Sequence, residues 1–175
     1  MTEDSPVANL IPCLWPDRGV APIDWAVACR LLGSRDRALG ALIERVGGSG
    51  FPPNTRVTAF EALVHSIVYQ QLSGKAAATI FGRFRALFPG PGFPDPQSVL
   101  ALTHPTMRSA GLSEAKARAI RDLAEHALIG TIPSVARLRR MTPEQVVEQL
   151  TVVRGVGRWT VEMLLLYRLR HPDVL

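Results

Sequence analysis

The chain has 175 residues and a net charge of +5 at pH 7, with 20 basic residues, most of them arginine, against 15 acidic residues. Its longest apolar runs, such as 163–167, are far shorter than the roughly 20 residues that span a bilayer, and its acidic, proline-rich start is unlike a secretory signal. Two cysteines are too few for a disulfide framework, and four histidines spread along the chain suggest no metal site. We therefore expect a cytoplasmic protein of one domain or two small lobes, whose arginines favour a polyanionic partner.

Four prolines and little periodicity predict that residues 1–22 form an extended segment. Short helices follow at 23–32 and 35–46, and Gly47-Gly48 stops the second. The clearest amphipathic helix then places six residues on one face, namely Phe60, Leu63, Val64, Ile67, Val68 and Gln71. Ser73-Gly74 ends it, and the next helix turns five residues inward before Pro89 breaks it, namely Ala77, Ile80, Phe81, Phe84 and Phe88.

Further helices are predicted at 96–102, 105–110, 113–129, 143–152 and from Arg158 onward. Ser113 is a candidate N-cap, although Lys116 stands where a capping box would have Glu. Thr142-Pro143-Glu144-Gln145 satisfies that box, with proline at the first helical position. No alternating β-branched run of strand length occurs, so the sequence predicts an all-α fold without repeats.

A turn with two glycines, Val153-Arg154-Gly155-Val156-Gly157, joins the last two predicted helices. Glycines permit positive φ and let a phosphate approach the backbone, and the amides that start the next helix present partial positive charge. Arg154 and Arg158 flank the glycines. The alternative is a turn that only reverses the chain.

Leu150–Thr160 resembles the helix-hairpin-helix of the DNA glycosylase superfamily, which includes endonuclease III, 8-oxoguanine glycosylase and 3-methyladenine glycosylase II. Residues 66–73 (SIVYQQLS) and 110–117 (AGLSEAKA) resemble the 3-methyladenine glycosylase II branch. The resemblance covers residues 23–175 and implies two helical lobes around a cleft. It also implies base-excision repair by base flipping, with duplex DNA containing alkylated purines, of the 3-methyladenine or 7-methylguanine type, as the partner.

The resemblance implies that the hairpin grips DNA phosphates. The expected amide donors are Gly155, Gly157 and Thr160, with Arg154 and Arg158 beside them. Gly157 is expected to need a backbone conformation that is costly to other residues. The carbonyls of Thr151, Val153 and Val156 would face Na⁺ or K⁺ shared with the DNA; no other cofactor is expected.

The resemblance assigns Gln71 and Leu72 to the turn that fills the hole left by the flipped base, and Lys75 to a nearby phosphate. Leu72 could instead pack in the core. Bifunctional members have a lysine at the position of Trp159, so the resemblance implies monofunctional hydrolysis here. Trp159 and Met163 would line the base pocket, unless Trp159 is a core residue.

The family's catalytic aspartate would fall a few residues beyond Leu175, with Asp173 and Glu162 as weak substitutes. We therefore expect an incomplete core, missing its C-terminal helices, that binds DNA without appreciable activity. Apolar surface on residues 23–46 would then be exposed and promote self-association. Two alternatives stay open: a non-catalytic helix-hairpin-helix DNA-binding module, and a helical interaction domain with no role on DNA. A DNA-repair role would place the protein on the bacterial nucleoid or in a eukaryotic nucleus.

Overall fold

The computed structural model describes residues 24–47, 57–169, 171 and 174 of the chain, and each regular element in these ranges is helical. The α-helices are α1 (Trp25–Arg35), α2 (Arg37–Val46), α3 (Ala59–Tyr69), α4 (Gly74–Ala86), α5 (Pro96–Ala101), α6 (His104–Ser109), α7 (Glu114–Leu128), α8 (Val135–Leu138), α9 (Pro143–Leu150) and α10 (Arg158–Leu164). A π-helix, Leu165–Leu169, continues α10. The predicted all-α class is confirmed, and none of the described helices could cross a membrane.

The chain divides into two compact units, Met1–Phe51 and Pro52–Leu175. The extended segment predicted at residues 1–22 lies outside the described residues. In the first unit, α1 and α2 form a helical pair, each started by an aspartate N-cap, Asp24 and Asp36. The two helices approach closely through glycine, since a Cβ on Gly40 would lie 3.0 Å from the Gly33 carbonyl oxygen.

In the second unit, α3 supplies the centre of the core. Five of the six residues predicted on its inner face are buried, and Leu63, Val64, Ile67 and Val68 have no exposed surface. The prediction is wrong for Gln71, which is exposed. The helix ends at Tyr69, so the helical periodicity no longer sets the direction of Gln71.

Helix α7 lies against α3 and α5, and it buries Ala117, Ile120, Leu123 and Ala124. Ser113 is its N-cap as predicted, with the hydroxyl accepting a hydrogen bond from the Lys116 amide at 3.3 Å. The capping box that starts α9 is also confirmed. The Thr142 amide donates to Gln145 Oε1 at 2.9 Å, and the Gln145 amide donates to Thr142 Oγ1 at 3.3 Å.

Two elements were not predicted. Helix α8 has only four residues, too few for a periodic pattern to form, although Ser134 caps it and Leu138 is buried. The π-helix follows α10 through three consecutive leucines, Leu164 to Leu166, and a continuous apolar run does not distinguish a π-helix from an α-helix.

Phe84 offers a direct test of the core, because its side chain on α4 is completely buried and packs edge-on against Phe88. We expect Phe84→Ala to lower the free energy of unfolding by about 3–5 kcal/mol, as the substitution leaves a cavity. The control Val152→Ala removes an exposed side chain and should stay within about 0.5 kcal/mol of the parent. Equal losses in urea denaturation would contradict this packing.

Candidate nucleic-acid interface

The turn between α9 and α10, which we call the hairpin (residues 153–157), is held by core packing and by a hydrogen bond to α7. The side chains of Val153 and Val156 are buried, and the Val156 amide donates to the Val153 carbonyl at 3.1 Å. The Arg154 amide donates to Asp122 Oδ2 on α7 at 2.7 Å. Arg154, Gly155 and Gly157 are exposed, so the hairpin presents its glycines and one arginine to solvent from a rigid base.

The two hairpin glycines have different conformations, and the expectation for Gly157 is wrong. Gly155 has φ of 75°, a region that favours glycine, and a Cβ there would lie 3.0 Å from the Ala119 Cβ on α7. Gly157 has φ of −92° and ψ of 170°, which any residue adopts, and a Cβ would meet nothing within 4 Å. The steric requirement for glycine therefore lies at Gly155.

The first amides of a helix have no acceptor within the helix, and α10 begins at Gly157 without a side-chain cap to accept from them. Trp159 in this turn is 65% exposed, which excludes the alternative that it packs in the core. Met163 is half-buried one helical turn later, on the same face. Arg158 is exposed and its Nη1 lies 3.5 Å from Oε1 of Glu162, whose side chain is mostly covered.

The turn between α3 and α4, which we call the wedge turn (residues 70–73), carries the residues predicted to enter DNA. Gln71 is exposed and has φ of 57°, the one non-glycine positive φ among the described residues. Leu72 is 38% exposed, so it is not the core residue of the alternative interpretation. Ser73 caps α4, and Lys75 is exposed in the first turn of that helix.

The wedge turn and the hairpin contact each other through Gln70. Its Nε2 donates to the Gly155 carbonyl at 2.9 Å and lies 3.3 Å from the hydroxyl of buried Thr160. Lys116 on α7 supports the same turn, because its Nζ donates to the carbonyls of Val68 and Gln70, each at 2.7 Å. Burial lowers the pKa of the Lys116 ammonium group by removing part of its hydration.

Sequence reasoning missed Gln70, Lys116 and Asp122. One signal for Lys116 was present: it occupies the third position of α7, where the helix dipole disfavours positive charge. A lysine in that position indicates a partner elsewhere, here the carbonyl end of α3. Gln70 and Asp122 carried no such signal, since their partners are distant in sequence.

The carbonyls predicted to face a monovalent cation lie at the end of α9 and in the hairpin. Thr151 is the C-cap of α9, where helix carbonyls carry partial negative charge. The Val153 carbonyl already accepts from the Val156 amide, which leaves one lone pair. The binding of Na⁺ or K⁺ by these carbonyls stays a prediction. Within the described residues, no group of His, Cys, Asp and Glu side chains could hold a metal ion; Asp173 lies outside those residues.

Two helices, α9 and α10, joined by a short turn with exposed glycines form a helix-hairpin-helix arrangement. Residues 64–163 match the family model of the HhH-GPD superfamily of base excision DNA repair proteins, and the chain belongs to this superfamily. It is 34% identical over 147 residues to DNA-3-methyladenine glycosylase 1 of Schizosaccharomyces pombe, covering 82% of this chain and 64% of that protein.

Solved structures show the same similarity. The 3-methyladenine DNA glycosylase of S. pombe, solved in complex with abasic DNA, superposes with a TM-score of 0.75 at 33% identity, covering 85% of this chain and 73% of that one. A DNA-3-methyladenine glycosidase from Bacillus halodurans gives 0.68 at 35% identity, covering 82% and 64%.

The two glycines give a matched pair of variants. Gly155→Ala should destabilise the protein by about 1–3 kcal/mol, because alanine is strained at positive φ and its methyl group meets Ala119. Gly157→Ala should leave the free energy of unfolding within about 0.5 kcal/mol of the parent, since its conformation suits any residue. Urea denaturation measures both. A larger loss for Gly157→Ala would show that the glycine requirement has been assigned to the wrong residue.

Proposed function

We propose that the protein is a base-excision DNA glycosylase that removes alkylated purines, of the 3-methyladenine or 7-methylguanine type, from duplex DNA. The observation that carries this proposal is the contact of Gln70 with Gly155 and Thr160. It brings the wedge turn next to the hairpin, whose exposed glycines let a phosphate approach the backbone. Exposed Trp159 directly precedes Thr160. The names of the related proteins support the same activity.

In this proposal the hairpin holds the DNA backbone. The amides of Gly155, Gly157 and Thr160 donate to phosphate oxygens, and Arg154 and Arg158 add charge-assisted hydrogen bonds. Lys75, close after the wedge turn, meets a further phosphate. A bound Na⁺ or K⁺ at the carbonyls of Thr151, Val153 and Val156 would add positive charge beside a phosphate. Such contacts position the protein without reading sequence.

The wedge turn fills the space that the damaged base leaves in the DNA stack. A base that is attacked in duplex DNA must leave the stack, and something must fill the space. Leu72, which is partly exposed at the tip, supplies an apolar wedge between base pairs. Gln71 supplies a polar group that can hydrogen-bond the orphaned base. Both side chains are accessible before DNA arrives, so no core residue has to be uncovered.

The chemistry we propose is hydrolysis. Water adds to the sugar C1′ and loses a proton to solvent, while the bond from C1′ to the base nitrogen breaks. The positively charged alkylated base takes the bonding electrons and departs as a neutral molecule. The exposed face of Trp159 can stack on a positively charged alkylated base, and Met163 lines the same face. Trp159 has no amine, so no covalent sugar adduct forms at this position. Glu162 is not assigned to this step, because its carboxylate faces Arg158.

A non-catalytic DNA-binding module is the alternative, and it would bind DNA without releasing any base.

Self-association is a separate proposal. The surface proposed for it consists of apolar side chains of α1 and α2, among them Leu31 and Val46, which are largely exposed.

Binding to undamaged duplex DNA should weaken steeply between low and high salt, because phosphate contacts release counterions. Arg154→Met and Arg158→Met should each reduce the slope of log affinity against log salt by about 1. Arg118→Met, which removes an exposed arginine of α7, is the control and should leave the slope unchanged. Fluorescence anisotropy measures all four proteins. Equal affinity at low and high salt would contradict the phosphate contacts.

Any base that the protein releases should leave an unbroken strand with an abasic site. Duplex DNA containing 7-methylguanine serves as the substrate, with free base measured by chromatography and strand breaks by denaturing gel. Borohydride should trap no protein–DNA adduct, since Trp159 offers no amine. A trapped adduct that disappears when one lysine is substituted would show that the monofunctional assignment is wrong.

A further inference from the structure

Helix α7 reaches both DNA-facing turns, although none of its own residues belongs to either. Near its start, Lys116 donates two hydrogen bonds of 2.7 Å to the carbonyls of Val68 and Gln70, where α3 ends and the wedge turn begins. Two turns later, Asp122 accepts the hydrogen bond from the Arg154 amide of the hairpin. The helix therefore holds the wedge turn and the hairpin at a fixed spacing.

The contacts of Lys116 are specific. Among the ion pairs of the described residues none includes Lys116, so its charge is balanced by carbonyl dipoles and solvent. Cations next to the last carbonyls of a helix are favourable because that end carries partial negative charge. The same positive charge is unfavourable in the first turn of α7. The Lys116 ammonium group therefore stabilises the carbonyl end of α3 and the wedge turn, not α7.

The wedge turn needs support from outside. Gln71 has φ of 57°, a region that non-glycine residues rarely adopt. Such a conformation persists only where surrounding contacts hold it. The contacts next to Gln71 are those of Gln70, whose carbonyl accepts from Lys116 and whose amide side chain donates to Gly155.

We propose that Lys116 is a positioning residue that holds the wedge turn in the conformation that inserts into DNA. This inference rests on the proposed function and deepens it by assigning the pre-organisation of Gln71 and Leu72 to a residue that touches no DNA. A turn fixed before binding loses less conformational freedom when it inserts. Loss of Lys116 therefore reduces the preference for DNA that accepts the wedge, and leaves backbone binding by the hairpin in place.

The experiment compares two duplexes of one sequence, one intact and one with a tetrahydrofuran abasic site, whose gap accepts the wedge. Lys116→Met should lower the preference of the 175-residue chain for the abasic duplex about tenfold, as expected for losing hydrogen bonds from a charged group. Its affinity for the intact duplex should stay within about twofold of that of Arg118→Met, which removes one positive charge from the same helix. Lys116→Arg, which keeps charge and donors, should recover most of the preference.

A double-mutant cycle separates positioning from general destabilisation. If Lys116 acts through the wedge turn, Lys116→Met should change the preference less than about twofold when Leu72→Ala has already removed the wedge. Additive losses would overturn the inference. Should Lys116→Met fail to fold, Lys116→Gln, which removes the charge but keeps a shorter neutral donor, takes its place in the same cycle with Leu72→Ala; an unchanged preference would again overturn the inference.

Binding of the unsubstituted chain to the two duplexes distinguishes failure of the Lys116 proposal from failure of the proposed function. Salt-sensitive binding with no preference for the abasic duplex would overturn the role of Lys116 and leave the phosphate contacts standing. Absence of binding to either duplex at low salt would overturn the proposed function, and this inference with it.

Discussion

The hydrogen bond from the side-chain Nε2 of Gln70 to the Gly155 carbonyl joins two turns that are 85 residues apart in sequence. Each turn alone is ordinary, because each connects two consecutive helices. Their contact places an exposed leucine and an exposed tryptophan beside two accessible glycines. The contact is made by a side chain, so it forms only if the two turns lie close together. The packing of α3 against α10 and α7 sets the distance between the turns.

The support for the interface comes from well-packed parts of the chain. Val153 and Val156 anchor the hairpin in the core, and seven of the eleven residues of α3 are buried. Under the proposed function, the exposed groups that contact DNA lie on short turns between packed helices, an arrangement that fixes their positions before binding. Helix α7 adds hydrogen bonds from Lys116 to the wedge turn and from the hairpin to Asp122.

Local signals predicted much of the fold. Caps are encoded by a few adjacent residues, so Ser113 and the box from Thr142 to Gln145 located the starts of α7 and α9. The wedge and base-pocket residues followed from a resemblance, and the exposure of Leu72 and Trp159 removed the interpretation that they are core residues. The sequence assigned the costly backbone conformation to Gly157 rather than Gly155, because φ at each position depends on the path of the whole hairpin and not on the adjacent residues alone.

The central claim is that hairpin and wedge turn form one DNA-binding surface. An amide NMR titration of the protein with a short duplex containing a tetrahydrofuran abasic site tests it most directly. The account predicts that the amides of 155–160 and 71–73 shift together, at the same DNA concentrations. Shifts confined to the hairpin, or centred on another face of the molecule, would contradict it.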